Sequence, residues 1–219
     1  TLGPGALIRG RVTFERDGVE QPVPTTVKTM TLTTEALDSG TLGMSAVVRA
    51  DGTFSMSVLP GEPLRLHVLT SGLDAAFGVR SALLSTGDDW FDAPGTLNGD
   101  ATLVVAMTTR HTELTGQIHS DNGGPVPDLF VIAFSADRHL WGTETRRVQA
   151  VRPAVDGAFT IKDLPPGEYF LGALVDVDNG DWLRPGFLDS IAGVATRVTL
   201  TEGSKTVQDI KVPGRVPFQ

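Results

Sequence analysis

The sequence predicts an all-β protein made of two tandem Greek-key β-sandwiches, with one short helix near the C-terminal end of the second sandwich. Three observations support this fold class. Short motifs occur twice in the same order, apolar and polar residues alternate in short runs, and Gly, Pro, Asn and Asp separate the runs. The length of 219 residues, with 25 Gly and 14 Pro, is enough for two domains that each bury a core.

An internal repeat divides the chain into two predicted domains, residues 1–110 and 111–219. Four motifs of the first half recur in the second half at a nearly constant offset. The matching pairs are residues 8–12 with 114–118, Pro-Val-Pro at 22–24 with 125–127, Asp-Gly-Thr-Phe at 51–54 with Asp-Gly-Ala-Phe at 156–159, and Leu-Pro-Gly at 59–61 with Pro-Pro-Gly at 165–167. The second domain carries the fuller version of the pattern.

Each repeated motif predicts a local structure. In residues 8–12 and 114–118, a Gly lies between apolar residues, as in a strand that another backbone approaches closely. The Asp-Gly pairs predict tight turns, because Gly tolerates a positive φ and Asp accepts hydrogen bonds from the backbone ahead. Phe54 and Phe159 follow these turns and are predicted to face the core.

Strands are predicted wherever apolar and polar residues alternate between turns. The first domain contains a predicted hairpin of residues 53–58 and 64–69, and the second contains its equivalent at 159–162 and 169–175. The other predicted strands are residues 25–33, 44–49, 78–84, 101–108, 129–135, 146–151, 196–200 and 206–212. The spacing of these runs is typical of a β-sandwich.

One helix is predicted, at residues 184–193. Pro185 lies near its start, apolar residues occupy positions 187, 188 and 191, and Gly193 occupies the expected C′ position. We expect about two turns of helix covering the open end of the second sandwich. The predicted core residues of the two sandwiches are Val12, Phe54, Leu66, Ile118, Phe134, Phe159 and Leu171.

Composition excludes several classes of protein. A net charge of −8 argues against a nucleic-acid partner, since such proteins concentrate Lys and Arg on one surface. The absence of Cys removes disulfides, thiolate metal sites and thiol nucleophiles. No apolar run approaches the roughly 20 residues needed to cross a bilayer, so no membrane span is predicted.

No enzyme activity and no catalytic residue are predicted. His67, His111, His119 and His139 show no metal-ligand spacing, and no nucleotide-binding, metalloprotease or nucleophile-elbow motif occurs. Ser135, Asp137 and His139 are triad residue types, but they alternate along one segment with no accompanying motif of acyl transfer. We interpret that segment as structural.

The acidic segment around residue 178 is a candidate calcium site. Asp176, Asp178 and Asp181 lie beside Asn179 and Gly180, and Ca²⁺ prefers carboxylate and carbonyl oxygen ligands. The segment lacks the spacing and the terminal Glu of an EF-hand. The alternative is a polar turn after a buried strand, and no other cofactor is predicted.

Three tryptophans are candidate ligand-binding residues. Trp90, Trp141 and Trp182 all fall in predicted loops, where flat aromatic faces could stack on sugar rings. The alternative is that each ring caps the end of its sandwich or packs at a domain interface.

The second-domain motifs resemble those of the carboxypeptidase regulatory-like domain. They are Gly116-x-Ile118, the Gly-Pro-Val-Pro of residues 124–127, Asp156-Gly157-x-Phe159 and the Leu-Pro-Pro-Gly-Glu-Tyr of residues 164–169. The first domain resembles the family less closely, because Glu62-Pro63 replaces the Glu-Tyr pair. The resemblance implies prealbumin-like (transthyretin-like) sandwiches of about seven strands that serve as non-catalytic accessories.

Three further segments, residues 88–92, 137–141 and 180–188, resemble tandem modules of large secreted bacterial proteins. Together these resemblances predict a non-catalytic extracellular or cell-surface structural and protein-interaction module, part of a larger protein or assembly. The expected location is secreted, periplasmic or on the bacterial cell surface, and the expected partners are other protein domains or subunits.

Besides an enzyme domain or an accessory that completes a partner's active site, two alternatives remain open. One is a carbohydrate-binding module that uses the tryptophans to hold glycans. The other is a subunit of an extracellular filament or large complex, in which residues 1–6 or 212–219 reach a neighbour as an edge strand or an extended arm. The prolines of the second segment exclude it from a continuous central strand.

Overall fold

The computed structural model describes residues 5–120, 129–142, 145–174, 177–178 and 180–212. The chain divides into two compact units, Thr1–Arg110 and His111–Gln219. Among the predicted features, residues 1–4, Asp176, the Pro-Val-Pro of residues 125–127 and residues 213–219 lie outside the described residues.

Unit 1 contains nine strands and no helix among its described residues. The strands are β1 (Ala6–Arg16), β2 (Val19–Gln21), β3 (Thr29–Ala36), β4 (Thr41–Val47), β5 (Thr53–Val58), β6 (Pro63–Ser71), β7 (Gly78–Leu84), β8 (Gly95–Thr96) and β9 (Ala101–Thr108).

These strands form two sheets. In the first sheet, β1 pairs in parallel with β9, and β9 pairs with β7. The other side of β1 pairs with β5 along its N-terminal half and with β2 along its C-terminal end. The second sheet has the order β4-β3-β6-β8. Consequently β4 and β5 are edge strands of different sheets.

The core of unit 1 contains residues from both sheets. Ile8, Val12 and Phe54 come from the first sheet, and Leu32 and Leu66 come from the second. All five are buried, as alternation along half-buried strands requires. The burial of Val12, Phe54 and Leu66 confirms their predicted core positions.

Unit 2 contains eight strands and one α-helix among its described residues. The strands are β10 (Glu113–Ser120), β11 (Phe130–Ser135), β12 (Val148–Val151), β13 (Ala158–Lys162), β14 (Gly167–Leu174), β15 (Thr196–Leu200), β16 (Lys205–Val207) and β17 (Ile210–Val212). The helix is α1 (Pro185–Ala192), and two 3₁₀ helices cover Arg138–Leu140 and Asp181–Leu183.

Unit 2 repeats the strand pairing of unit 1. Its first strand, β10, pairs antiparallel with β13 and in parallel with β16 and β17, as β1 pairs with β5 and β9. Its second sheet has the order β12-β11-β14-β15. The structure therefore confirms the prediction of an all-β chain of tandem sandwiches with one short helix.

Helix α1 covers a sheet face and not the open end predicted from the sequence. The six residues of β11 are all buried, because this strand has a core on each face. Val131 and Ala133 contribute to the core that also contains Ile118 of β10, Phe159 of β13 and Leu171 of β14. Buried residues on the opposite face, Phe130, Ile132 and Phe134, form a second apolar layer with the segment of α1.

The predicted C-cap of α1 also differs. Gly193 has φ −71° and ψ −19°, which is right-handed helical geometry, and not the left-handed geometry expected of a C′ glycine. The chain leaves the helix through hydrogen bonds from the N–H groups of Val194 and Ala195 to the carbonyl oxygen of Ile191. Apolar residues and a Gly located this helix but did not fix how it ends.

Four of the twelve predicted strands have the predicted bounds, and the other eight differ by one residue or more at one end or both. The strands predicted at residues 53–58, 78–84, 101–108 and 196–200 have the predicted bounds. The strand predicted at 206–212 divides into β16 and β17 because Gln208 and Asp209 bond to β10 irregularly. The N–H of Gln208 donates to Thr115, and the carboxylate of Asp209 accepts from the N–H of Gln117.

Candidate functional site

The triad residue types of the second unit are engaged in local turn contacts. The hydroxyl oxygen of buried Ser135 accepts a hydrogen bond from the N–H of Asp137 at 3.1 Å. The carboxylate of Asp137 accepts one from the N–H of His139 at 3.0 Å, which caps the 3₁₀ helix Arg138–Leu140. No bond joins the imidazole to the hydroxyl in these contacts, and the arrangement is that of a structural turn.

Two other histidines pair with carboxylates. His67 Nε2 lies 2.7 Å from Glu35 Oε2 across β6 and β3, and His111 Nδ1 lies 2.6 Å from Asp163 Oδ1. Both pairs are partly exposed. In the described part of the chain, no three acidic or histidine side chains gather as a metal site would require.

Two members of the predicted calcium site lie among the described residues, and they are in contact. The N–H of Asp178 donates to Asp181 Oδ2 at 3.2 Å. Asp181 Oδ1 forms an ion pair with the guanidinium of Arg184. Both oxygens of Asp181 therefore already have protein partners, an arrangement typical of a capped polar turn before the 3₁₀ helix Asp181–Leu183.

Trp90 is a core residue of unit 1. Its side chain is 1% exposed, and it belongs to the apolar cluster between the two sheets. Its indole lies against Gly95, where any side chain would overlap the ring. The face of Trp90 that a sugar would need is therefore covered by protein.

The other two tryptophans belong to the helix-covered layer of unit 2. Trp182 is 8% exposed and its ring lies 4.8 Å from that of Phe130. Trp141 is half-buried, its Nε1 donates to the carbonyl oxygen of Ser135, and its ring makes a T-shaped contact with that of Phe134. Of the three predicted ligand-binding rings, only Trp141 has appreciable exposure, so this arrangement does not support a three-ring platform.

An apolar cleft in unit 1 is a concave surface formed by described residues. Its volume is about 560 Å³, within the range of sites that bind drug-sized ligands. One wall is the first half of β4 with the end of β3, and the other is the end of β5 with Gly5, which precedes β1. The cleft thus lies between edge strands of the two sheets. We name it the β4–β5 cleft.

The β4–β5 cleft has a buried floor and an exposed rim. Val58 and Leu64, which line it, are core residues of the sandwich. Leu42 and Met44 on the β4 side are 68% and 59% exposed, and Leu59 on the opposite side is also exposed. Exposed apolar side chains that continue a core in this way are typical of surfaces that another molecule covers.

A β-bulge shapes the β4 wall. The register of β3 and β4 shifts between Thr33 and Glu35, so that Gly43 and Met44 together oppose Thr34. A Cβ atom at Gly43 would lie only 2.6 Å from the hydroxyl oxygen of Thr34, so a larger residue here would require the Thr34 side chain to move. Bulges commonly redirect side chains near functional surfaces, and this one lies where Met44 lines the cleft.

The β4–β5 cleft carries almost no charge. Of the described residues that line it, only Glu62 is ionisable. The sequence analysis did not predict this site, although a run of uncharged residues could have indicated it. Residues 39–48 are ten successive uncharged residues that include Leu42 and Met44, in a chain whose residues are 20% charged.

Three solved structures of bacterial pilins align with nearly the whole chain. Among solved structures, the GBS52 minor pilin of Streptococcus agalactiae aligns with a TM-score of 0.42 and 11% identity, covering 98% of this chain and 100% of that one. A streptococcal ancillary pilin aligns with a TM-score of 0.38 and 14% identity, and the alignment covers 98% of this chain and 64% of that one. The shaft pilin SpaA of Lactobacillus rhamnosus GG aligns with a TM-score of 0.35 and 9% identity, and the alignment covers 98% of this chain and 100% of that one.

These scores and identities assign neither a family nor a function. No protein-family model matches the chain, and the carboxypeptidase regulatory-like resemblance stays a prediction. No curated protein matches it either. Within the described residues, no helix has the length and apolar character needed to cross a lipid bilayer.

Proposed function

We propose that this chain is a non-catalytic structural subunit of an extracellular or cell-surface assembly, and that it holds a partner protein through the β4–β5 cleft. The observation that carries the proposal is the cleft itself, a cavity of about 560 Å³ whose floor is core and whose rim exposes Leu42 and Met44. Its strand walls and its apolar lining suit an extended polypeptide segment.

The edges of the two sheets support the same proposal. Strand β4 lies at the end of its sheet, so one of its edges has no strand partner among the described residues. Natural edge strands are usually protected by charged residues, Pro or brevity. Strand β4 has seven residues, none of them charged and none Pro. Its bulge is the one protective device, and it interrupts the edge without covering the apolar side chains.

The non-catalytic part of the proposal is supported by the contacts of the polar residues. The hydroxyl of Ser135 and the carboxylate of Asp137 each accept a hydrogen bond from a backbone N–H of their own turn, from Asp137 and His139 respectively. Asp51, Asp89 and Asp156 each accept hydrogen bonds from backbone N–H groups two residues ahead. These carboxylates shape turns, which is the role of such residues in a structural sandwich. The proposed extracellular location follows from the resemblance to secreted tandem modules.

Selection from a random library of displayed 12-residue peptides tests the proposed function. The full chain is expected to select peptides with apolar residues at neighbouring or alternate positions. Met44→Asp should weaken their binding by about tenfold or more, a factor that corresponds to about 1.4 kcal/mol.

Leu69→Asp is the matched control. Leu69 is 59% exposed, as Met44 is, but it lies on β6 outside the cleft lining. Selected peptides that bind Met44→Asp as tightly as wild type would contradict the proposed site, and so would a selection that yields no binding sequence.

A further inference from the structure

We propose that the occupant of the β4–β5 cleft is the segment of residues 213–219 from a second copy of this chain. This inference rests on the proposed function and names the partner of that site.

The cleft selects for apolar side chains and against carboxylates. Its buried floor, Val58 and Leu64, presents apolar side chains, so polar side chains packed against them would lose their hydration without compensation. Its one ionisable lining residue, Glu62, is exposed, and Asp38 is exposed in the turn before β4. The occupant should therefore carry apolar side chains, a cation and no acidic residue.

Residues 213–219, Pro-Gly-Arg-Val-Pro-Phe-Gln, meet this requirement. The segment contains Val216 and Phe218, one cation at Arg215 and no carboxylate. The other long segment outside the described residues, 121–128, has an Asp at each end. The N-terminal residues 1–4 offer one large apolar side chain, Leu2, and no charge. Composition favours the C-terminal segment.

Proline in this segment suits the β4–β5 cleft. Pro217 has no N–H to donate, so it cannot complete a regular ladder along an edge strand. The bulge at Gly43 and Met44 already breaks that ladder on β4. Recognition in such a groove depends on side chains that fill it, and a Pro-containing extended segment gives up little conformational freedom when it binds.

The length of the segment is sufficient. Seven extended residues span about 23 Å at 3.3 Å each. The part of β4 that lines the cleft, Thr41 to Met44, spans about 13 Å on the same basis. The segment follows Val212 of β17 in unit 2, and the cleft is in unit 1. Each copy therefore offers a donor segment and an acceptor cleft, and the association is head-to-tail.

Complementation between two variants of the full chain tests this proposal. Met44→Asp disables the cleft and keeps the segment, whereas Phe218→Asp disables the segment and keeps the cleft. Light scattering after size exclusion should show concentration-dependent association of wild type and of the control Leu69→Asp. Each cleft or segment variant alone should be monomeric, and an equimolar mixture should form 1:1 dimers and nothing larger, since only one functional pair of surfaces remains.

Charge exchange provides a second test that does not depend on Met44 variants folding. Glu62→Lys should raise the dissociation constant, and combining it with Arg215→Glu in one chain should restore association. Circular dichroism and thermal melting establish that each variant is folded.

Several outcomes would overturn the proposal. Association of Phe218→Asp equal to that of wild type would exclude the segment. A wild type that is monomeric at every concentration would exclude a second copy as the occupant. If a labelled peptide of residues 212–219 nevertheless binds the Phe218→Asp chain, the segment of each wild-type chain occupies the cleft of that same chain. If library peptides bind through Met44 while the chain's own segment does not, this inference fails and the proposed function stands.

Discussion

The ring of Phe159 lies opposite Gly116 in the antiparallel register of β13 and β10. A Cβ atom at Gly116 would lie 2.8 Å from Cζ of Phe159 and would also overlap the carbonyl oxygen of Gln208. Gly10 and Phe54 have the same relationship across β1 and β5 in unit 1. The glycine of one repeated motif therefore makes room for the phenylalanine of another.

This relationship predicts that the two phenylalanines are major contributors to stability. Phe159→Ala should lower the free energy of unfolding by about 3–5 kcal/mol, because it leaves a cavity between the sheets. Chemical denaturation followed by fluorescence measures the change. Val155→Ala, at a highly exposed position before the Asp-Gly turn, is the control and should change stability little. A Phe159→Ala loss no larger than that of the control would contradict the packing.

The glycines are predicted to differ in their tolerance of a methyl group. Gly116→Ala should destabilise the chain by about 1–3 kcal/mol, since strand backbone or the Phe159 ring must move. Gly193→Ala should be neutral or stabilising by about 0.5 kcal/mol, because its backbone is right-handed helical and a Cβ there meets nothing within 4 Å. Thermal melting of both variants measures this. A large loss from Gly193→Ala would instead indicate the left-handed C-cap expected from the sequence.

The burial of the tryptophans predicts which of them a quencher reaches. Acrylamide should quench the emission of Trp141, which is half-buried, more than that of Trp90 or Trp182. Trp141→Phe should therefore remove most of the readily quenched emission, and Trp90→Phe should leave it. Equal quenching of all three rings would show that the buried faces open to solvent and would renew the case for a ligand platform.

Calcium is expected to leave the melting temperature unchanged. Asp181 already accepts the N–H of Asp178 and pairs with Arg184, so a cation would have to displace protein contacts. Scanning calorimetry in millimolar calcium and in chelator tests this. A calcium-dependent rise in melting temperature that is lost in Asp181→Asn would establish the metal site predicted from the sequence.

The carboxylate of Asp51 is expected to make the stability of the fold depend on pH. The N–H and hydroxyl of Thr53 hold the pKa of Asp51 below its usual value. A carboxylate with a lowered folded-state pKa stabilises the fold above its unfolded-state pKa, about 3.9, and loses that contribution as the pH falls through the folded-state pKa. The melting-temperature difference between wild type and Asp51→Ala should be constant near neutral pH and shrink below about pH 4. Asp38→Ala, in an exposed turn, controls for general charge effects.

The repeated motifs and the strand alternation were sufficient to predict the sandwich class, several strand bounds and the buried positions Val12, Phe54, Leu66, Ile118, Phe134, Phe159 and Leu171. These features depend on local rules. Asp-Gly forms a turn with almost any neighbours, as the φ values of +83° at Gly52 and +84° at Gly157 show. An alternating strand likewise has one apolar face in almost any context.

Only the tertiary structure shows which element packs against each apolar face of a strand. Phe134 is buried as predicted, but beneath the segment of α1 and not between the sheets, because β11 has a core on both faces. Trp90 and Trp182 look alike in sequence, since both fall in predicted loops. Only packing shows that one fills the space between sheets and the other lies on an outer face.

The candidate site depends on tertiary structure for the same reason. Met44 and Val58 lie on consecutive strands and line one cleft because β4 and β5 are edges of different sheets. Periodicity can assign Met44 to a strand, but it cannot show that the facing edge is uncovered. A cleft is a property of two elements and of the space between them, so sequence patterns within either element do not contain it.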